Sequence, residues 1–64
     1  MGIEEFLKKG DNVLLAFENG DNQFIGKHAL TNYINIGVIH SLEELDEVTY
    51  MGKYKDNRVK INIF

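Results

Sequence analysis

Val59-Lys60-Ile61-Asn62-Ile63-Phe64 alternates apolar and polar side chains without a break until its final residue. Such alternation describes an extended ribbon with one dry and one wet face, because successive side chains of a strand point to opposite sides. Working back from it, Val48 to Tyr54 reads as a second ribbon, joined to the first through Asp56-Asn57, residue types that favour turns. Further back, Val13, Leu15 and Phe17 share a face of the segment Asn12–Glu18. Asn19-Gly20-Asp21-Asn22 then offers residues that tolerate positive φ, so a hairpin is expected there. A two-residue Asn-Gly connection would set Glu18 against Asp21, so a longer loop fits better. Gln23 to Leu30 reads as the next strand, with Gly26 as a bulge or bend, and Tyr33 to His40 as another, with Ile34, Ile36 and Val38 inward.

Two segments read as helical. Residues 2–9 place Ile3, Phe6 and Leu7 at i, i+3 and i+4, with Glu4 and Glu5 early, Lys8 and Lys9 late, and Gly10 where a left-handed cap belongs. Ser41-Leu42-Glu43-Glu44 has the spacing of a capping box and predicts one or two helical turns carrying Leu42 and Leu45. The Gly-Asp-Asn of residues 10–12 recurs at 20–22, but the segments behind the two copies share little, so this is shared turn chemistry and not a repeat.

The expected architecture is therefore mainly β: a short N-terminal α-helix over a strongly bent, five-stranded antiparallel sheet, closed or nearly closed as an SH3-like or Sm-like small barrel. Residues 1–64 make one domain, since a chain of 64 residues sits at the low end of what folds alone. The expected core is Ile3, Phe6, Leu7, Val13, Leu15, Phe17, Phe24, Leu30, Ile34, Ile36, Val38, Leu45, Val48, Tyr50, Val59, Ile61 and Ile63. A hydrophobic fraction of 44% with 27% charged residues suits a globular protein, and the absence of Cys excludes disulfides and thiolate metal sites. A core this small supplies about 3–5 kcal/mol by itself. Burial between copies is an expected supplement, by strand pairing through the final strand, and the chain is expected to be a homo-oligomer.

The acidic start Met1-Gly2-Ile3-Glu4-Glu5-Phe6 lacks the basic region of a signal peptide, Phe6 stands where a myristoylation motif needs Ser or Thr, and no apolar run approaches a membrane span. A cytoplasmic protein with no membrane partner is expected. His28 and His40 lack the spacing of a metal site, and no metal or other cofactor is expected. No nucleophile elbow surrounds Ser41, and a domain of this size has little room for a water-excluding pocket, so no catalytic residue is assigned and the chain is not read as an enzyme.

Charge is unevenly spread. Residues 1–51 carry a balance of −6, and residues 52–64, with Lys53, Lys55, Arg58 and Lys60 against Asp56, carry +3. A basic hairpin flanked by Tyr50 and Tyr54 can lie on phosphates with rings available for stacking. Alternatively these cations only solubilise a wet face, or pair with Glu43, Glu44, Asp46 and Glu47 of the same chain or of a neighbour.

A short helix followed by five strands, with Val13, Leu15 and Phe17 alternating into Gly20 and with Asn35 followed by Ile36 and Val38, resembles the Sm-like proteins, small barrels that form RNA-binding rings. The segment Gly52, Lys55-Asp56-Asn57 and Val59–Ile63 loosely resembles the family's second motif. Gly26 falls one place late, Thr31 stands where the family has an acidic residue, and the Arg-Gly pair of the second motif is missing. The resemblance implies that Asn35 with Tyr33 or Ile34 sits at the base-binding loop and that Lys55 or Arg58 faces a ring's pore. Two functions follow as expectations. One is a non-catalytic oligomeric module that binds single-stranded RNA or DNA through Tyr33, Asn35, Lys55 and Arg58. The other is a small regulatory or inhibitor-type protein, of the kind mobile elements encode, that binds a protein partner through an acidic helix bearing Glu43, Glu44, Asp46 and Glu47.

Overall fold

A computed structural model describes residues 2–64. In chain order the elements are α1 (Ile3–Leu7), β1 (Val13–Phe17), β2 (Asn22–Ile25), α2 (Lys27–Asn35), β3 (Ile39–Asp46), β4 (Thr49–Tyr54) and β5 (Asn57–Ile63). The five strands form one antiparallel sheet in the order β2-β1-β5-β4-β3. The protein is mainly β, as the alternation requires. The sheet is open, with β2 and β3 as its two edges and no ladder between them.

Register explains the core. Leu15 stands opposite Ile61 and Ile61 opposite Tyr50, Phe17 opposite Val59 and Val59 opposite Gly52, and Val13 opposite Ile63. These residues line one inner face, and both helices lie on it. Phe6 of α1 meets Tyr50 edge-to-face at 4.8 Å between ring centroids, and Tyr33 of α2 meets Tyr54 at 5.7 Å. Leu30 is the residue of α2 that is fully buried. The five-residue α1 is too short to be helical in isolation, so docking of Phe6 holds it.

The structure corrects several expectations. Of Gln23–Leu30 only Gln23–Ile25 is strand, and of Tyr33–His40 only Ile39 and His40, because residues 27–35 form α2. Leu30, Tyr33 and Ile34 recur at i, i+3 and i+4, a helical period that presents all three to the core, whereas a strand would set Leu30 and Tyr33 on opposite faces. The helix ends at Gly37, whose φ of +84° belongs to a left-handed cap and whose N–H donates to Ile34 O at 3.1 Å. Gly26 is not a bulge but the α2 N-cap, with no side-chain hydrogen bond there.

Ser41–Glu44 is not a capping box either. The segment continues β3, with Ser41 at φ +58° and register shifts between His40 and Glu43 and between Glu44 and Asp46. Were it helical, β4 would face no partner on that side and its backbone groups would lose their ladder, so tertiary pairing overrides the local signal. Gly10 is not a left-handed cap: a Cβ built there would lie 2.5 Å from the backbone carbonyl carbon and oxygen of Phe64, so its role is close approach.

Phe24, Ile36, Leu45 and Val48 are exposed, not core, while Ile39 and Thr49 are buried without having been expected. Phe24 lies opposite Leu14 on the outer face of the sheet, Ile36 caps α2, and the shifts in β3 turn Leu45 outward. Finally, β5 is not an open edge but the middle strand, flanked by β1 and β4, so pairing between copies cannot run through it. The β1–β2 loop is longer than two residues, as expected: Phe17 N–H donates to Asp21 O at 2.8 Å and Gly20 N–H to Phe17 O at 3.0 Å.

Candidate nucleic-acid interface

Lys53, Lys55 and Arg58 lie within six residues around the β4–β5 turn. Lys53 and Arg58 are directly opposite in the ladder, and His40 is opposite Lys53, so three basic side chains form a row across β3, β4 and β5 on the outer face. Like charges directly opposite destabilise a sheet. Among the described residues the ion pair within 4 Å is Lys8–Glu5, on α1 and its end, and no carboxylate comes that close to this row. The in-chain pairing of the basic hairpin with Glu43, Glu44, Asp46 and Glu47 is therefore not made.

The turn itself is held on both backbone groups. Lys55 N–H donates to Val38 O at 2.7 Å, and Lys55 O lies 2.9 Å from His40 Nε2. A carbonyl only accepts, so Nε2 carries a proton, and Nδ1 lies 2.9 Å from the Ser41 hydroxyl oxygen. Lys55 itself sits at φ +57° with its side chain exposed. His40 and the Ser41 bulge thus fix the backbone from which Lys55 projects.

Beside the turn the inner face ends in half-buried rings. Phe17 and Tyr54 meet edge-to-face at 5.6 Å between centroids, and Tyr54 meets Tyr33 at 5.7 Å. An open cleft between the β1–β2 and β4–β5 turns is lined by Phe17, Asn19, Asp21, Gln23, Tyr54 and Asn57. Asn19 is committed to Asp21 through two contacts of 3.0 and 2.9 Å. Carboxamides both donate and accept, which suits the edge of a planar heterocycle laid against a ring.

Of the four residues expected to bind nucleic acid, Tyr33 and Asn35 lie in the last turn of α2, Lys55 in the β4–β5 turn, and Arg58 on β5. Tyr33 reaches this end of the molecule through Tyr54, and Lys55 through its bond to Val38, just past α2. Arg58 faces the opposite side of the sheet from Tyr54, in the row with Lys53. Tyr50 is unavailable for stacking, being buried against Phe6. Lys53 was read as part of the basic hairpin but not among those four, and the places of Phe17 beside Tyr54 and of His40 against the Lys55 carbonyl were not foreseen. Strand parity held part of that signal, since Lys53 and Arg58 alternate out of phase with Tyr54 and Val59.

Glu43, Glu44 and Asp46 lie on edge strand β3 and Glu47 in the turn after it, all exposed and none helical. Asp46 also accepts from Val48 N–H at 2.9 Å, which shapes the β3–β4 turn. His28 is exposed on α2, and among the described residues no three His or carboxylate groups gather as a metal site. No helix among them is long and apolar enough to cross a membrane. No family model, curated protein or solved structure matches the chain significantly.

Proposed function

We propose that the protein is a non-catalytic binding module that holds single-stranded nucleic acid at the end of the sheet formed by the β4–β5 turn and the C-terminus of α2. The observation that carries this reading is that cations without carboxylate partners among the described residues, Lys53 opposite Arg58 on the outer face with Lys55 in the turn, share the β4–β5 end of the sheet with the half-buried chain Phe17–Tyr54–Tyr33 on its inner face, so that a strand passing over the turn meets both. Phosphates supply the missing counter-charge, and ring faces are sequence-tolerant platforms for bases. Lys55 and Arg58 hold the backbone, Tyr33 stacks, and Asn35 reads base edges at the helix end. The Sm-like resemblance points to the same four residues, and the binding itself requires no closed ring.

The test is fluorescence anisotropy of a labelled oligothymidylate or oligouridylate titrated with the protein between about 25 and 250 mM salt. Three phosphate contacts on a single strand give a slope of log affinity against log salt near −2. Lys55→Glu and Arg58→Glu together weaken binding at least about tenfold and flatten that slope, while Lys8→Glu on α1 does neither. Absence of binding at 25 mM salt, or equal losses from Lys8→Glu, overturns the reading.

A second reading rests on the acidic edge. Glu43, Glu44 and Asp46 line an edge strand with no cation within ion-pair distance among the described residues, which suits a basic protein segment added beside β3. Reversal of charge at Glu43 and Glu44 abolishes such a complex with the fold intact. A pull-down unchanged by it removes this alternative.

A further inference from the structure

We propose that two copies of the chain join edge to edge through β2, about a two-fold axis at Gln23, extending the sheet across both. The two edges of this sheet differ sharply. Edge β3 carries Glu43, Glu44 and Asp46 and two register shifts, devices that block strand addition by a like copy. Edge β2 reads Asn22-Gln23-Phe24-Ile25, with no charge, no Pro and no register shift against β1.

Backbone geometry fixes how a second copy fits. Phe17 N–H donates to Asp21 O, so alternation turns the backbone groups of Gln23 and Ile25 toward β1 and those of Asn22 and Phe24 toward the open edge. An antiparallel match then places Asn22 opposite Phe24 of the second copy and the reverse, making about four ladder hydrogen bonds with the axis at Gln23.

The side chains agree with that match. Phe24 is 70% exposed on the outer face although it stands in a sheet, and it rests edge-to-face on Phe64, 55% exposed, at 6.0 Å between centroids. Across the axis the two Phe24 rings are diagonal neighbours, about 7–8 Å apart, which is within aromatic reach. A second copy is the fitting occupant because the edge is neutral on both sides of the axis, whereas a charged partner finds no complement there. Each Phe24 has on the order of 100 Å² of ring left to cover, which places the contact in the small, reversible class.

Sedimentation equilibrium of the whole chain from about 10 µM to about 1 mM tests this, a range suited to interfaces of that class. The weight-average mass is expected to rise from 7.4 kDa toward twice that value. Phe24→Lys should hold the chain at monomer mass with an unchanged circular dichroism spectrum, and Glu44→Lys on the other edge should leave association as it was. Amide exchange at Asn22 and Phe24 should slow as concentration rises. A constant monomer mass to 1 mM overturns the proposal. So does association of Phe24→Lys equal to that of the parent, or exchange at Asn22 and Phe24 independent of concentration.

Discussion

Leu30→Ala set against Phe24→Ala separates the helical reading of residues 27–35 from the extended one, which puts both side chains in the core. Leu30 is fully buried and is the deepest anchor of α2 in the core. The change removes three buried carbons, worth about 2.4 kcal/mol at about 0.8 kcal/mol each. The sheet beneath is fixed by its ladders and cannot collapse fully onto the gap, so a cavity contribution adds to this and the total is about 3–4 kcal/mol. A chain of this length has about 3–10 kcal/mol of stability in all, so the variant gives up between about a third and the whole of it. Urea denaturation followed by circular dichroism measures it. With a slope near 1 kcal/mol/M the midpoint falls by about 3 M, or the pretransition baseline vanishes. Leu30→Met nearly conserves volume and should lose less than about 1.5 kcal/mol. Phe24→Ala, which the alternating strand pattern places in the core, should lose well under 1 kcal/mol in the same assay at concentrations where the chain is monomeric. Equal losses at positions 24 and 30, or a loss below 1 kcal/mol at Leu30, would refute the placement of α2 on the sheet.

Two further substitutions test the backbone. Gly10→Ala puts a Cβ 2.5 Å from the Phe64 carbonyl, and relieving that contact disturbs the Asp11 and Asn12 N–H groups that both donate to Phe64 O at 2.8 Å. At about 0.5–1.5 kcal/mol for each bond, the loss is about 1–3 kcal/mol, and a thermal melt within 1 °C of the parent would count against the close approach. Gly37→Ala forces a side chain into the left-handed region and should cost about 1–2 kcal/mol, with Gly37→Asn milder; a more stable Gly37→Ala variant would show that α2 does not end in that cap.

Where the alternation was strict, the sequence and the structure agree: β1 and β4 fall within a residue of the segments read for them, β5 starts two residues early at Asn57, which was read as turn, and Val13, Leu15, Tyr50, Val59, Ile61 and Ile63 are buried as expected. The failures share one cause. Lys27–Asn35 contains Thr31, Asn32 and Ile34, weak helix formers, and its N-cap Gly26 makes no side-chain bond, so the usual opening signal is missing. Conversely, Ser41–Glu44 carries a strong local helix signal that ladder formation with β4 overrules. The candidate site was legible as a set of residue types in the basic hairpin and at Tyr33. Its arrangement was not, because which cation faces which ring depends on strand order and on the helix between β2 and β3.

The order of apolar residues and the short turn segments between them determined that most of the chain makes antiparallel strands around a single small core, since a period of two gathers the branched aliphatics on one face and a connection of a few residues joins only antiparallel neighbours. Only the tertiary structure decided that β5 lies between β1 and β4, that residues 27–35 coil over the inner face, and that the acidic segment is an edge. Those choices turn on long-range hydrogen-bond pairing, and a backbone group's need for a partner across the sheet leaves no mark in the local sequence.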